Sequence, residues 1–425
     1  MSRGGIPEER FNMHSPVSPA SASSRHADDF APGTLAVWLK TLGKTSPVVY
    51  LAIFLFINLL FAIKYGTRVG LAPWESAPLF TLCFGIQIVA GGWLALWVGR
   101  RKRATIWVWA ALGVYLVAAY AVYRPMDPYA LDADRWSALE AFFDALFRGD
   151  FPWAVKSHLG TNVSLFPGMQ VLAMPFYLMG DVGLLQFASL IAFGALVLVR
   201  YNDRTRPFFL LGLLIAMPAI QYQVFVRSDL LGNAVAIAWL MHVSLKPGVA
   251  DGKRLFVWAI LWGLALSTRA IFVIPFIYVG WRLVDGRRVK TTVMFGLAAA
   301  ATFAATFLPF YLWDAALFWE RNPYHVQSGY VTREVLVLVL AATIATGFVR
   351  RRTAAAGAFV HTGMTLFLTI LVCWILKAFQ EGWSATLWEH QFDITYFSLC
   401  LPFLVIALGD ALFSRNAVTA ERMRV

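Results

Sequence analysis

Hydrophobic and polar positions alternate along this chain in long blocks. Apolar runs lie near residues 47–63, 76–98, 105–122, 182–199, 207–222, 230–246, 255–268, 270–284, 291–312, 334–349, 357–377 and 392–411. As helices, many of these runs would cross roughly 30 Å of hydrocarbon. Twelve such spans would return the chain to its starting side. The segment "SLFPGMQVLAMPFYLMG", Ser164–Gly180, is apolar but short and is punctuated by Pro167 and Pro175. It predicts a juxtamembrane or re-entrant helix, since a full span here would invert everything after it. The stretch 255–284 is split by "STR", Ser267–Arg269, and predicts two short spans or one long tilted one.

Composition agrees with the blocks. Hydrophobic residues make up 59% of the 425 and charged residues 14%, a balance far from that of soluble domains. The expected fold is therefore all-α: a polytopic transmembrane bundle of about twelve spans. Residues 46–411 would form it, with a disordered cytoplasmic tail at 1–45 and a second cytoplasmic tail at 412–425. The first tail is polar, Ser/Pro-rich and lacks the pattern of a signal peptide. Cys83, Cys373 and Cys400 all fall in apolar runs, which suggests neither a disulfide framework nor a metal knuckle.

The net charge of +12 raises nucleic acid as a partner, and the placement of the charge argues against it. Arg100-Arg101-Lys102-Arg103, Arg200/Arg204/Arg206, Lys246/Lys253/Arg254, Arg282/Arg287/Arg288/Lys290 and Arg350-Arg351-Arg352 all fall in one set of loops. Such clustering marks the cytoplasmic face and puts both termini there. The opposite face receives one long loop, 123–181, and two medium ones, 313–333 and 379–392.

The long loop holds the candidate chemistry. From Asp134 onward, Trp136, Leu139, Phe142, Phe143, Leu146 and Phe147 recur at helical spacing, with Arg135, Ser137, Glu140, Asp144 and Arg148 opposite. That pattern predicts an interfacial amphipathic helix. Asp134 stands where an N-cap would and Gly149 where a terminator would. Asp132 and Asp134 are thereby pinned near the membrane surface. Either suits a general base for an incoming hydroxyl, or Asp134 simply caps the helix while Asp127 and Asp132 are solvated turn residues.

Cations that could meet an anion on the same face are Arg227, Arg269 and Arg333. Arg227 faces Asp229 two residues on and could be only its ion pair or a snorkelling anchor. Arg269 lies within an apolar stretch, where an ionisable side chain is a functional candidate, unless the chain turns at "STR" and the side chain reaches headgroups. Arg333 follows the polar aromatic loop "NPYHVQSGYVT", whose Tyr324 and His325 are placed to cover a substrate. Trp153 and His158 are further outer-loop candidates. His158, His325 and His390, with Asp393, could assemble a divalent metal site or be ordinary satisfied loop residues.

"DADRWSALEAFFDALFRGDFPW" followed by "HLGTNVSLFPGMQVLAMPFYLMGD" resembles the first outer loop of the GT-C glycosyltransferases. These are membrane enzymes that take a sugar from a polyprenyl-phosphate carrier. In that family an acidic residue ends a span, and an interfacial helix, a Gly-acidic turn and a Pro-Pro segment follow. "FVRSDLLGNAVAIAWL", "GLALSTRAIFVIPFIYVGW" and "FDITYFSLCLPFL" are similar to later parts of the family layout. The resemblance covers roughly Val122 to Phe403. It implies Asp134, or else Asp132, as the catalytic base, and Arg269, Arg333 and Arg227 as donor-phosphate ligands. Tyr324, His325, Trp153 and His158 would lie about the substrate. It further implies a polyprenyl-phosphate sugar donor, a lipid, glycan or protein acceptor, and a bacterial inner membrane location. Gly168 stands where the family has a second Pro, and Asp132 and Asp134 are not adjacent. A secondary transporter and a noncatalytic polytopic protein are the competing expectations.

Overall fold

The computed structural model describes residues 45–66, 70, 72–101, 104–201, 205–246, 253–285, 289–328, 333–350, 355–389 and 391–413. Most of both expected tails, together with Arg204, Arg287, Arg288, Arg351, Arg352 and His390, lies outside them. Among the described residues every regular element is helical, and β pairing is limited to one antiparallel bridge between Lys156 and Asn162.

The chain opens with three long apolar helices: α1 (Thr45–Gly66), α2 (Pro73–Gly99) and α3 (Ala104–Tyr123). Pro73 opens α2 because the missing amide costs nothing in a first turn, and Glu75 accepts from the Ala72 amide at 2.9 Å. The loop helices α4 (Arg135–Arg148) and α5 (Pro167–Leu178) follow, then α6 (Leu184–Arg200), α7 (Thr205–Ile215), α8 (Pro218–Phe225) and α9 (Leu230–Ser244). Next come α10 (Lys253–Leu266), α11 (Val273–Asp285), α12 (Val289–Trp313) and the short α13 (Ala315–Arg321) and α14 (Pro323–Ser328). The chain closes with α15 (Arg333–Arg350), α16 (Ala355–Glu381), α17 (Trp383–Leu387) and α18 (Leu401–Phe413), the last continuing a 3-10 segment at Ile394–Cys400.

Six of these segments are long and apolar enough to cross a membrane, or seven if the bent pair α7 and α8 counts as one. The expectation of twelve thus resolves into fewer full-length helices by length and composition. Four further apolar runs fold as helices of 10–17 residues, and at 1.5 Å per residue 14 residues cover only about 21 Å. The stretch at 255–284 does break at "STR", giving α10 and α11 joined by a 3-10 turn at Ala270–Phe272. Ser164–Gly180 forms the 12-residue α5, too short to span.

The bend of 65° between α7 and α8 falls at Pro218, which cannot continue the helical ladder. Away from water, a freed backbone amide must find another partner. Fully buried Asn58 supplies it, accepting from the Ala219 amide at 3.0 Å and donating to the Phe54 carbonyl at 2.7 Å.

Two cores result. The larger lies between α1, α6, α7, α9, α16 and α18 and is mainly aliphatic and phenylalanine, with Trp262, Trp374 and several tyrosines among them. The smaller belongs to the loop: Trp136, Leu139, Phe142 and Phe143 of α4 pack with Trp153, Val163, Leu165 and α5, against Phe307 and Phe310 of α12. Gly149 ends α4 with φ +82°, a left-handed conformation that glycine adopts without a Cβ penalty. Phe147, on the apolar face of α4, is exposed and stacks on Tyr177.

Charge separates along the bundle. Asp393 precedes the last span, and near the span's far end Asp410 takes Arg200 at 2.7 Å. Gly99 lies against Thr205 at that same end, where α2, α6, α9 and α11 finish in Arg100, Arg200, Lys246 and Arg282. The loop helices occupy the other end, with Asp132, Asp134, Asp229 and Asp393.

Candidate active site

At the acidic end two cavities share a wall made by Phe392 and Asp393. One is polar, about 520 Å³, and is bounded by the α1 terminus (Lys64, Tyr65), the Asp132–Arg135 corner, Thr161, the turn after α8, and Thr395. The other is smaller, about 160 Å³, and mainly apolar, with Arg269, Tyr324, Gln327, Thr369, Asp393 and Tyr396 as its polar members. Its remaining walls come from Ile271, Val273, Ile274, α15 and α16.

Both predicted carboxylates reach the polar cavity. Asp134 stands at the N-cap position of α4 but its side chain caps nothing. Its Oδ2 instead accepts from Ser157 Oγ at 2.9 Å and from Thr161 Oγ1. Those two hydroxyls sit on a turn closed by the Ser157 amide on the Thr161 carbonyl at 2.9 Å. With these bonds falling on one oxygen, Asp134 Oδ1 is the atom able to accept a proton from a ligand. Asp127, by contrast, is a turn residue whose side chain accepts from the Tyr129 amide.

Arg269 is neither a headgroup anchor nor free in an apolar stretch. The chain turns at "STR", yet the side chain is 2% exposed and grips the fully buried Asp229, with Nη2 at 2.6 Å and Nε at 3.1 Å from Oδ2. Asn233 donates to the same oxygen at 2.8 Å. Arg135 completes the network: its Nη2 lies 2.5 Å from Asp393 Oδ2 and its Nη1 is 3.6 Å from Asp229 Oδ1. Enclosure opposes the charge on Arg135, but Asp393, Tyr396 and Asp229 outweigh it and hold the guanidinium above its ordinary value. Enclosure likewise pushes Asp393 up, and Arg135 together with the Thr395 hydroxyl and amide more than offsets it. The carboxyl therefore ends below the usual range. A carboxylate so held is a poor proton acceptor and a good anchor.

The turn carrying Arg269 is itself pinned. The Gly168 amide donates to the Ser267 carbonyl at 2.7 Å. A Cβ at Gly168 would come within 2.3 Å of the Leu264 carbonyl oxygen, so the close approach of the two backbones requires glycine there. Gln327 of α14 accepts from the Ala270 amide at 3.3 Å and donates to the Ser164 carbonyl at 2.7 Å. Tyr324 stacks on Phe166 and lines the apolar cavity.

The other predicted residues go elsewhere. Arg227 does not pair with Asp229. Its backbone has φ +57°, and the side chain instead lies over the Tyr123 ring, 3.6 Å from Asp181. Arg333 is exposed at the start of α15 and lines neither cavity. Trp153 is a core residue of the loop, 1% exposed, donating to the Leu165 carbonyl at 3.1 Å. His158 is fixed by Ser137 Oγ at 2.6 Å and the Leu131 carbonyl. His325 belongs to α14, and its side chain lies outside the described residues. Among the described residues no three His, Cys, Asp or Glu side chains come together as metal ligands.

Sequence reasoning missed Arg135, Asp229, Lys64 and Tyr396 as parts of the site. The signal for Asp229 was present: a carboxylate directly before the continuous apolar run of α9 is costly to bury unless a cation meets it.

Comparison with family models, with curated proteins and with solved structures finds no match to this chain. Its function rests on the site.

Proposed function

We propose that the protein is an integral membrane glycosyltransferase that moves a sugar from a polyprenyl-phosphate carrier to an acceptor hydroxyl. One observation carries the proposal. A polar cavity holding Asp132 and Asp134 shares a wall with an apolar cavity whose strongest cation is Arg269. A lipid-tethered donor needs both surroundings, hydrocarbon for the tail and charge for the phosphate. Its acceptor needs a wet approach.

In this scheme Asp134 Oδ1 takes the proton of the acceptor hydroxyl as its oxygen forms the new bond to the anomeric carbon. The bond from that carbon to the carrier phosphate breaks, and the phosphate leaves with the electron pair. Arg269 donates to the phosphate, because a guanidinium meets oxyanions through a planar fork of donors. Asp132 shares the cavity as the second carboxylate. The acidic end would face the non-cytoplasmic side of a bacterial inner membrane. Both termini and the basic helix ends would then lie in the cytoplasm, as clustered Arg and Lys favour. The first transmembrane loop would be GT-C-like in this reading.

The test is glycan transfer in membranes with Asp134→Asn, Asp132→Asn and both together. Loss of about 10²–10⁴ in rate with Asp134→Asn is expected for removing a general base. Full activity in the double variant would sink the proposal. Uptake of a labelled solute abolished by an uncoupler would favour a transporter, whose interrupted helix would be the bent α7 and α8 pair.

A further inference from the structure

The buried charges linking the two cavities are unevenly satisfied. All the hydrogen bonds on the Asp229 carboxylate, from Arg269 Nε, Arg269 Nη2 and Asn233 Nδ2, fall on Oδ2. Its Oδ1 is buried with no hydrogen-bond partner, and so is Arg269 Nη1. One is an acceptor without a donor, the other a donor without an acceptor, within a single ion pair. Such buried groups are rare because each loses its water without replacement. The surroundings offer a replacement for each. Arg269 lines the apolar cavity, and an oxyanion there would satisfy Nη1. Arg135 Nη1, 3.6 Å from Asp229 Oδ1, would satisfy Oδ1 by closing less than an ångström. Both guanidiniums lie against the same ring, Tyr396, at 4.9 and 5.7 Å. They are therefore parts of one packed unit.

We propose that Asp229 is a positioning residue that couples the two cavities. An anionic head on an apolar tail, bound at Arg269, competes with Asp229 for that guanidinium and shifts Asp229 toward Arg135 at the edge of the polar cavity. The proposal rests on the apolar cavity being the lipid-anion site. It goes further in making occupation of that cavity felt beside Asp132 and Asp134. The charges support the exchange. Two arginines and two aspartates, Arg135, Arg269, Asp229 and Asp393, sum to zero. An added anion must therefore displace a carboxylate from one arginine or leave negative charge in excess, and Asp229 is the carboxylate that Arg269 holds.

Coupling of this kind is a difference in binding free energy, so it is measured by binding, without any transfer reaction. The probe is dodecyl phosphate titrated into the full-length protein in neutral detergent, with inorganic phosphate as the control. Asp229→Asn keeps the shape and removes the competitor. Dodecyl phosphate should bind several-fold tighter, while transfer slows because the guanidinium is less firmly held. Arg135→Lys, which keeps the charge and loses the fork, should weaken dodecyl phosphate binding about threefold in the native background and have no effect in Asp229→Asn. A simple charge effect would persist in both backgrounds, and a purely structural Asp229 would lower affinity and melting temperature together.

Unchanged or weaker binding by a folded Asp229→Asn overturns the coupling. If that variant does not fold, Arg135→Lys alone decides, and unaltered affinity overturns it. Absence of dodecyl phosphate binding in the native protein, or binding no tighter than inorganic phosphate, overturns the underlying cavity assignment instead.

Discussion

Two Asp-Arg-Tyr clusters stand at the acidic end of this protein, and they differ in completeness. Around Asp181 nearly every group is answered. The Tyr123 hydroxyl meets both carboxylate oxygens at 2.7 Å, the Gly183 amide donates at 2.8 Å, and Arg227 adds its charge and reaches the Met126 carbonyl. That cluster ties the end of α3 to the start of α6, closing the two ends of the long loop, and it lines neither cavity. Around Asp229 three buried atoms, Asp229 Oδ1, Asn233 Oδ1 and Arg269 Nη1, go without hydrogen bonds, and its arginines border both cavities. A satisfied polar network holds a fold together, whereas a buried polar group without a partner calls for a physical explanation. The comparison is why Arg227, once a donor-ligand candidate, is better understood as a strut, while Arg269 remains in the proposed site.

The largest expected effect pits one arginine against the other. Arg269→Gln strands the buried Asp229 charge, and breaking a buried pair costs about 3–5 kcal/mol. It should also abolish transfer. Arg227→Gln should lower the melting temperature and leave the rate per folded molecule within about threefold. Equal rate losses from the two would erase the distinction between the clusters. An intermediate effect is expected at Gly168. Overpacking typically costs about 1–3 kcal/mol, and here a new Cβ meets backbone oxygen, which cannot swing aside. Gly168→Ala should reduce both stability and transfer, by displacing the turn that carries Arg269. Normal activity in a destabilised Gly168→Ala would mean that the turn tolerates movement.

The smallest effect sharpens the other side. Glu140 on α4 is pushed up to about 7 from its ordinary value near 4.5, first by burial, then by Asp181 and Asp144, against Arg227. The folded chain therefore holds a proton that the unfolded chain releases between those values. Stability contributed by the protonated carboxyl is present below about pH 4.5 and is lost as pH rises through about 7. The melting temperature should fall between pH 5 and 8 for this reason, and Glu140→Gln should flatten that slope without altering the pH profile of transfer. A changed transfer profile would bring the strut cluster into the chemistry.

Much of the loop was legible in the sequence. The period of Trp136, Leu139, Phe142 and Phe143, the terminator Gly149 and the proline-punctuated α5 each follow from local rules that tertiary packing did not overrule. The position of Asp132 and Asp134 at the head of α4 also followed from local rules, and both line the polar cavity. The span count was less legible. Hydropathy reports that α6, α9, α10 and α11 are apolar but not whether they are long enough to cross alone. Nor did adjacency identify the partner of Asp229. It suggested Arg227 two residues away, but the left-handed backbone at Arg227 sends that side chain to Asp181, and the true partner, Arg269, is 40 residues on. Ion pairs between distant segments leave no periodic trace.

The Gly168 amide and the Gln327 side chain sew two stretches remote in the sequence, 164–168 and α14, onto the short turn before α11. Arg269 is thus held from behind, by backbone atoms it never touches. Variation in α5 or α14 can therefore retune the cation while its own codon stays the same.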